Sequence, residues 1–213
     1  MKIFVLCVCQ SCRTYEDLGV GENMQAKEFE KDTPPREILV YTCERIVEPL
    51  KELGFKYRKS KNDMIKKDNF FTYCIYFQPS KYGSTEFKVH ISVLSNDLLK
   101  WREQNNSEIQ NDCVFWSYLA NLSKKDNDCP TYDVSSLISR ENVIAEINNL
   151  IQEFALPFFD RFKDVKTLIE DVQQDGSFIP HRMRKWEIKQ RESGIRRPID
   201  DFIDCFFDDC NDI

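Results

Sequence analysis

The feature that most constrains this chain is a change of hydrophobic period at Gly54. Upstream of it, Ile38, Leu39, Thr42, Ile46, Leu50 and Leu53 recur at the spacing of one helix face. Asp32-Thr33-Pro34-Pro35 supplies the start signal, because proline in a first helical turn sacrifices no hydrogen bond. Pro49 interrupts the ladder, so the last turn should be kinked or form a separate short helix, and Gly54 stands where a left-handed cap is needed. Downstream the period becomes 2. Phe55 and Tyr57, then Phe71, Tyr73, Ile75 and Phe77, then Phe87, Val89, Ile91 and Val93 hold one parity, while Lys56, Arg58, Thr72, Cys74, Tyr76, Glu86, Lys88, His90 and Ser92 hold the other. Three strands with one buried and one more polar face follow from that alternation.

Residues 78–84 form a turn cluster, so the second and third strands should make an antiparallel hairpin. Residues that oppose each other share a face, which forces the paired residue numbers to sum to an even value. A loop centred on Tyr82 pairs Tyr73 with Ile91, Ile75 with Val89, Cys74 with His90 and Glu86 with Gln78. A slip of two would slide every pair and leave the faces unchanged.

Further along, 96–101 reads as a short helix, and 113–119 and 131–134 as short strands. Ser139 can cap a helix whose stripe is Val143, Ile147, Leu150, Ile151 and Phe154, with Pro157 as its stop. Asp164 can cap another, with Val165, Leu168, Ile169 and Val172 inward and Gly176 at its end. The expected fold is α+β, an antiparallel sheet of about five strands with helices packed on one face. The expected organisation is an apolar N-terminal segment and connector (1–33), a core (34–175) and a charged C-terminal extension (176–213). In that extension, 181–197 holds seven Lys/Arg and two Glu, whereas 200–212 holds six Asp and no base.

Two scarce residue types exclude whole classes of chemistry. The six glycines form no phosphate-cradling motif, and the two histidines, His90 and His181, belong to no zincin, deaminase or hydrolase-elbow pattern. Nine cysteines without repeated C-x-x-C pairs fit reduced thiols and a cytoplasmic setting. Cys7, Cys9 and Cys12 lack an adjacent fourth ligand, so no metal or cofactor is expected. The start of the chain has a short apolar run without a signal-type cleavage site, and no window is long and apolar enough to span a membrane. A formal charge of −6 argues against nucleic acid as a partner.

Glu48-Pro49-Leu50-Lys51-Glu52-Leu53-Gly54-Phe55-Lys56, the basic strand after it, the Tyr73–Gln78 strand, Tyr118-Leu119-Ala120-Asn121-Leu122 and Leu156-Pro157-Phe158 together form a pattern. It resembles the bacterial domain of unknown function 4304, over about residues 36–173. A tryptophan pair of that family stands here as Thr131-Tyr132. The resemblance implies an α+β fold and carries over no catalytic residue.

Three functional readings follow. The first is a non-enzymatic protein-binding module presenting Arg58, Thr72, Tyr76, Lys88 and Trp116, with His90 and Tyr118 beside them; toxin neutralisation of the immunity type is the analogous role. The second is a thiol enzyme in which Cys74 and His90, directly opposed, share a proton. The third rests on Glu86-Phe87-Lys88, which resembles the E-x-K of PD-(D/E)xK nucleases. That chemistry needs an aspartate beside Glu86, and the upstream candidates Asp63 and Asp68 lie too far along the chain if the strand is continuous. The binding module is the favoured reading.

Overall fold

The structure, a computed structural model, describes residues 26–80, 83–105, 111–123, 130–173 and 197–210. Helix α1 (Pro35–Val47) opens on the two prolines and passes into a 3-10 turn, Glu48–Leu50, at Pro49. Gly54 then takes φ +88°, the left-handed conformation that lets the chain turn into the sheet without a Cβ clash. Six strands follow: β1 (Lys56–Arg58), β2 (Asp63–Lys67), β3 (Thr72–Pro79), β4 (Glu86–Leu94), β5 (Cys113–Tyr118) and β6 (Tyr132–Asp133). They form one antiparallel sheet in the order β1-β2-β3-β4-β5, with β6 beside the start of β4.

The fold is therefore α+β, with one strand more than the alternation shows. β2 is the added strand. Asn62, at φ +51°, turns the chain back after Arg58, and Asp63–Lys67 pairs with both β1 and β3. The β3–β4 register also lies two residues from the Tyr82-centred expectation. Tyr73 faces Val93, Ile75 faces Ile91, Cys74 faces Ser92, Tyr76 faces His90 and Gln78 faces Lys88. The centre of the turn is Gly83, whose φ of +65° places the reversal one residue later than the turn cluster alone indicates. Parity is preserved, so every residue keeps its expected face.

The apolar parity is the core face. Met64, Ile75, Phe77, Phe87, Ile91 and Val93 are buried there. Helices α2 (Asn96–Gln104), α3 (Leu137–Leu150), α4 (Leu156–Asp160), α5 (Val165–Gln173) and α6 (Pro198–Cys210) complete the described chain. Several of them seal that face through aromatic contacts, among them Tyr73 with Phe159, Phe115 with Phe158, and Phe71 with both Phe162 and Phe202.

Two helix boundaries differ from expectation. Ser136, not Ser139, caps α3 by accepting the Ser139 amide, while the Ser139 hydroxyl donates to the Asp133 carbonyl. Pro157 does not end the helical path. A π-type turn at Ile151–Ala155 widens the coil just before it, and such a turn absorbs the missing N–H and ring bulk that would break a regular ladder. Asp164 caps α5 as expected. Gly176 and the 181–196 basic run lie outside the described residues, as do Cys7, Cys9 and Cys12.

Two arginines pin the ends of the described chain to the core. Arg102 is completely buried. Its guanidinium donates to Asp201 Oδ2 on α6 at 2.8 and 3.0 Å and to the Asn111 and Cys113 carbonyls. Arg140, also buried, donates to the Val134 and Lys27 carbonyls and stacks over Phe29 at 4.8 Å. Ile199, Phe202, Ile203 and Cys205 of α6 join the same hydrophobic cluster as α1 and the sheet. Among the described residues no helix is long and apolar enough to cross a membrane.

Candidate functional site: the outer face of the sheet

The polar parity makes the face turned away from the helices. Because paired residues share a face, the register fixes its layout as two rows crossing five strands. One row runs Arg58, Asp63, Tyr76, His90, Tyr118, and the other runs Lys56, Ile65, Cys74, Ser92, Trp116. Gln78 and Lys88 pair beyond the first row, and Thr72 lies beyond the second, opposite Lys67 and Leu94. Arg58, Thr72, Tyr76, Lys88 and Trp116 thus share one face, together with Cys74 and His90.

At the centre of this face, His90 is enclosed by aromatic rings. Its ring centroid lies 4.5 Å from Tyr118, 5.2 Å from Trp116 and 5.9 Å from Tyr76, and Lys88 Nζ sits 5.7 Å above Tyr118. Such packing follows from three aromatics and a histidine at adjacent positions on neighbouring strands. The cluster buries His90 to 5 % exposure but leaves Trp116 at 50 % and Tyr76 at 36 %. His90 Nε2 lies 2.7 Å from Gln78 Oε1, the geometry of an N–H donated to the amide oxygen. Its Nδ1 is buried and, among the described residues, has no hydrogen-bond partner. Burial first, and the nearby Lys88 charge second, push the His90 pKa below its usual value. The imidazole is therefore neutral at pH 7.

Toward the β1 edge, Asp63 is nearly inaccessible and is held bidentately by Arg58, at 2.7 Å to Nε and 2.6 Å to Nη2. Cys74 Sγ lies 3.9 Å from Asp63 Oδ2, and the thiol donates weakly to that carboxylate. Cys74 therefore does not oppose His90. The two are diagonal neighbours, and each is engaged with a different partner. Burial, reinforced by the Asp63 charge, pushes the Cys74 pKa up to about 11, so the thiol stays protonated at neutral pH and lacks nucleophilic character.

The nuclease constellation does not assemble either. Asp63 sits in the row of Tyr76 and His90, four residues along β4 from Glu86. Asp68 accepts from the Phe70 and Phe71 amides and the Tyr73 hydroxyl, closing the β2–β3 turn. On the β3 side Gln78 faces Lys88 and not Glu86; on the β6 side Glu86 faces Asp133, whose two oxygens accept hydrogen bonds from Thr85 and Ser135. No group of three or more potential metal ligands occurs among the described residues. What the face offers is aromatic area, a few fixed hydrogen-bonding groups and a cationic margin, a combination suited to recognition.

The alternation puts Gln78 on this face, though opposite Glu86 instead of Lys88, and does not put Asp63 there. The signal that could have placed Asp63 is Asn62, a residue that tolerates a left-handed turn and so marks a hairpin between β1 and β2.

A family model described as a domain of unknown function (DUF4304) matches residues 46–161 of the chain, a span that contains the whole sheet. No curated protein and no solved structure matches it.

Proposed function

We propose that this chain, which belongs to the DUF4304 family, is a protein-binding module that engages its partner through the outer face of the sheet. The observation that carries this reading is the ring cluster around His90. Large aromatic side chains on a sheet face normally lie under a packing layer, yet Trp116 and Tyr76 are half and one-third exposed in a fold that already buries a full core elsewhere. Aromatic anchors held rigidly and rimmed by polar and cationic groups are the usual composition of a binding hot spot. The site is pre-organised because each ring is locked by its neighbours across the strands, so association would cost little ordering entropy. Toxin neutralisation of the immunity type is one form such binding takes. The cytoplasm is the setting that suits the described thiols, since Cys43, Cys74, Cys113 and Cys205 are all free and three of them are buried.

The thiol-enzyme alternative loses its support from the register and from the protonated state of Cys74. The binding reading is tested by affinity capture from the source cell with the full chain and two variants. Tyr76→Ala with Trp116→Ala should abolish a captured protein that the control Ile138→Ser retains, since Ile138 is equally apolar and 76 % exposed but lies on α3. Identical captured proteins from the two variants would overturn the assignment of this face.

A further inference from the structure

The outer face is electrostatically lopsided, and the lopsidedness defines a partner. Residues 56–67, the β1–β2 hairpin, carry six basic residues, Lys56, Arg58, Lys59, Lys61, Lys66 and Lys67, against the single acid Asp63, within a chain whose formal charge is −6. Three of these cations are already engaged. Arg58 is tied to Asp63, Lys59 meets Glu44 at 3.1 Å, and Lys66 lies over the Phe55 ring. Lys56, Lys61 and Lys67 remain exposed and, among the described residues, form no ion pair. Lys56 stands at one end of the row whose other end is Trp116. Five strands about 4.8 Å apart set those ends about 19 Å apart, the reach of about six extended residues.

We propose that the partner presents a short extended segment that crosses the strands, with carboxylates over the Lys56 and Lys67 margin and an apolar or aromatic residue against Trp116 and Tyr118. This rests on the binding reading of the face and adds the chemistry and direction of the ligand. Charge complementarity selects the acidic end. Placing carboxylates beside uncompensated lysines is favourable, whereas a basic segment would meet like charges, and the nearby carboxylates of Asp63, Glu44 and Asp68 are already engaged by Arg58, by Lys59 and by the β2–β3 turn. The exposed half of Trp116 selects the apolar end.

An acidic protein segment fits better than single-stranded nucleic acid. The free cations occupy one margin and do not form a track. The rings also pack on one another at 4.5–5.9 Å, which covers much of the flat area that successive bases would need.

The test is selection of a phage-displayed random dodecapeptide library on the full chain. Selected peptides should carry Asp or Glu about three to six positions from an apolar or aromatic residue. Their affinity should fall about tenfold with Lys56→Glu plus Lys67→Glu and fall with rising salt. They should also be lost with Trp116→Ala. The three substituted side chains are all on the surface, and unchanged thermal melting of the variants would confirm that the effects are local. Peptides that depend on Trp116 but lack acidic residues, or ignore the lysine reversals, would overturn this inference while leaving the binding reading intact. No peptide depending on Trp116 would overturn both. Tight binding of single-stranded dT12, weakened by the same lysine reversals, would replace the acidic segment with nucleic acid.

Discussion

Residues 73, 75 and 77 of β3 and residues 74, 76 and 78 of the same strand belong to two different molecules in all but connectivity. The first set is buried under helices, and each member contributes to a single hydrophobic cluster. The second set faces away, and its members hold a thiol beside a carboxylate, a ring about one-third exposed and an amide that fixes an imidazole. On the core face, identity is interchangeable within limits of volume, because close packing asks mainly that space be filled. On the outer face each group has a particular neighbour across the strand, and nothing about filling space requires those groups.

That contrast can be broken or sharpened by substitution. The largest expected effect is on the core face. Phe77→Ala, at a site with no solvent exposure, should lower unfolding free energy by about 3–5 kcal/mol in a denaturant titration. Asp201→Ala should cost about 3 kcal/mol by leaving the Arg102 guanidinium buried without its carboxylate, measured the same way. Trp116→Ala on the outer face should cost only about 0.5–1 kcal/mol, yet weaken partner binding at least about tenfold in a titration with the captured partner. A Trp116 variant as unstable as the Phe77 variant would erase the distinction between the faces.

The smallest effect is in pH. The folded His90 pKa lies below its ordinary 6.5, so as pH falls through that value the unfolded chain takes up the proton first. Stability supported by the neutral ring is thus retained above about 6.5 and declines below it. His90→Gln should flatten the melting temperature between pH 7 and pH 5 relative to the parent. An unchanged slope would assign the acid sensitivity to other groups.

The division into faces was legible in the sequence because period 2 needs only local information, and Tyr73, Ile75, Phe77, Val89, Ile91 and Val93 all fall where parity puts them. Register was not. Parity admits every even slip, and the choice between them rests on which residue of the turn takes a positive φ, here Gly83. That two-residue shift separates Cys74 from His90 and builds the ring cluster instead, so a small error in the turn becomes a large error in chemistry. β2 escaped because Lys66-Lys67 breaks the alternation at its end. Arg102 and Arg140 could not be placed from sequence at all. Each reads as a surface residue on a helix, and the partners that make burial tolerable, Asp201 and Lys27, lie 99 and 113 positions away.

The Arg102 anchor has a practical corollary for anyone trimming this chain to its recognisable family portion. A fragment ending near residue 161 would discard the carboxylate that compensates a guanidinium enclosed on every side, and would bare Phe71 where Phe202 now rests. The stretch by which the protein is recognised thus omits groups that complete its core, and expression trials should keep α6 attached.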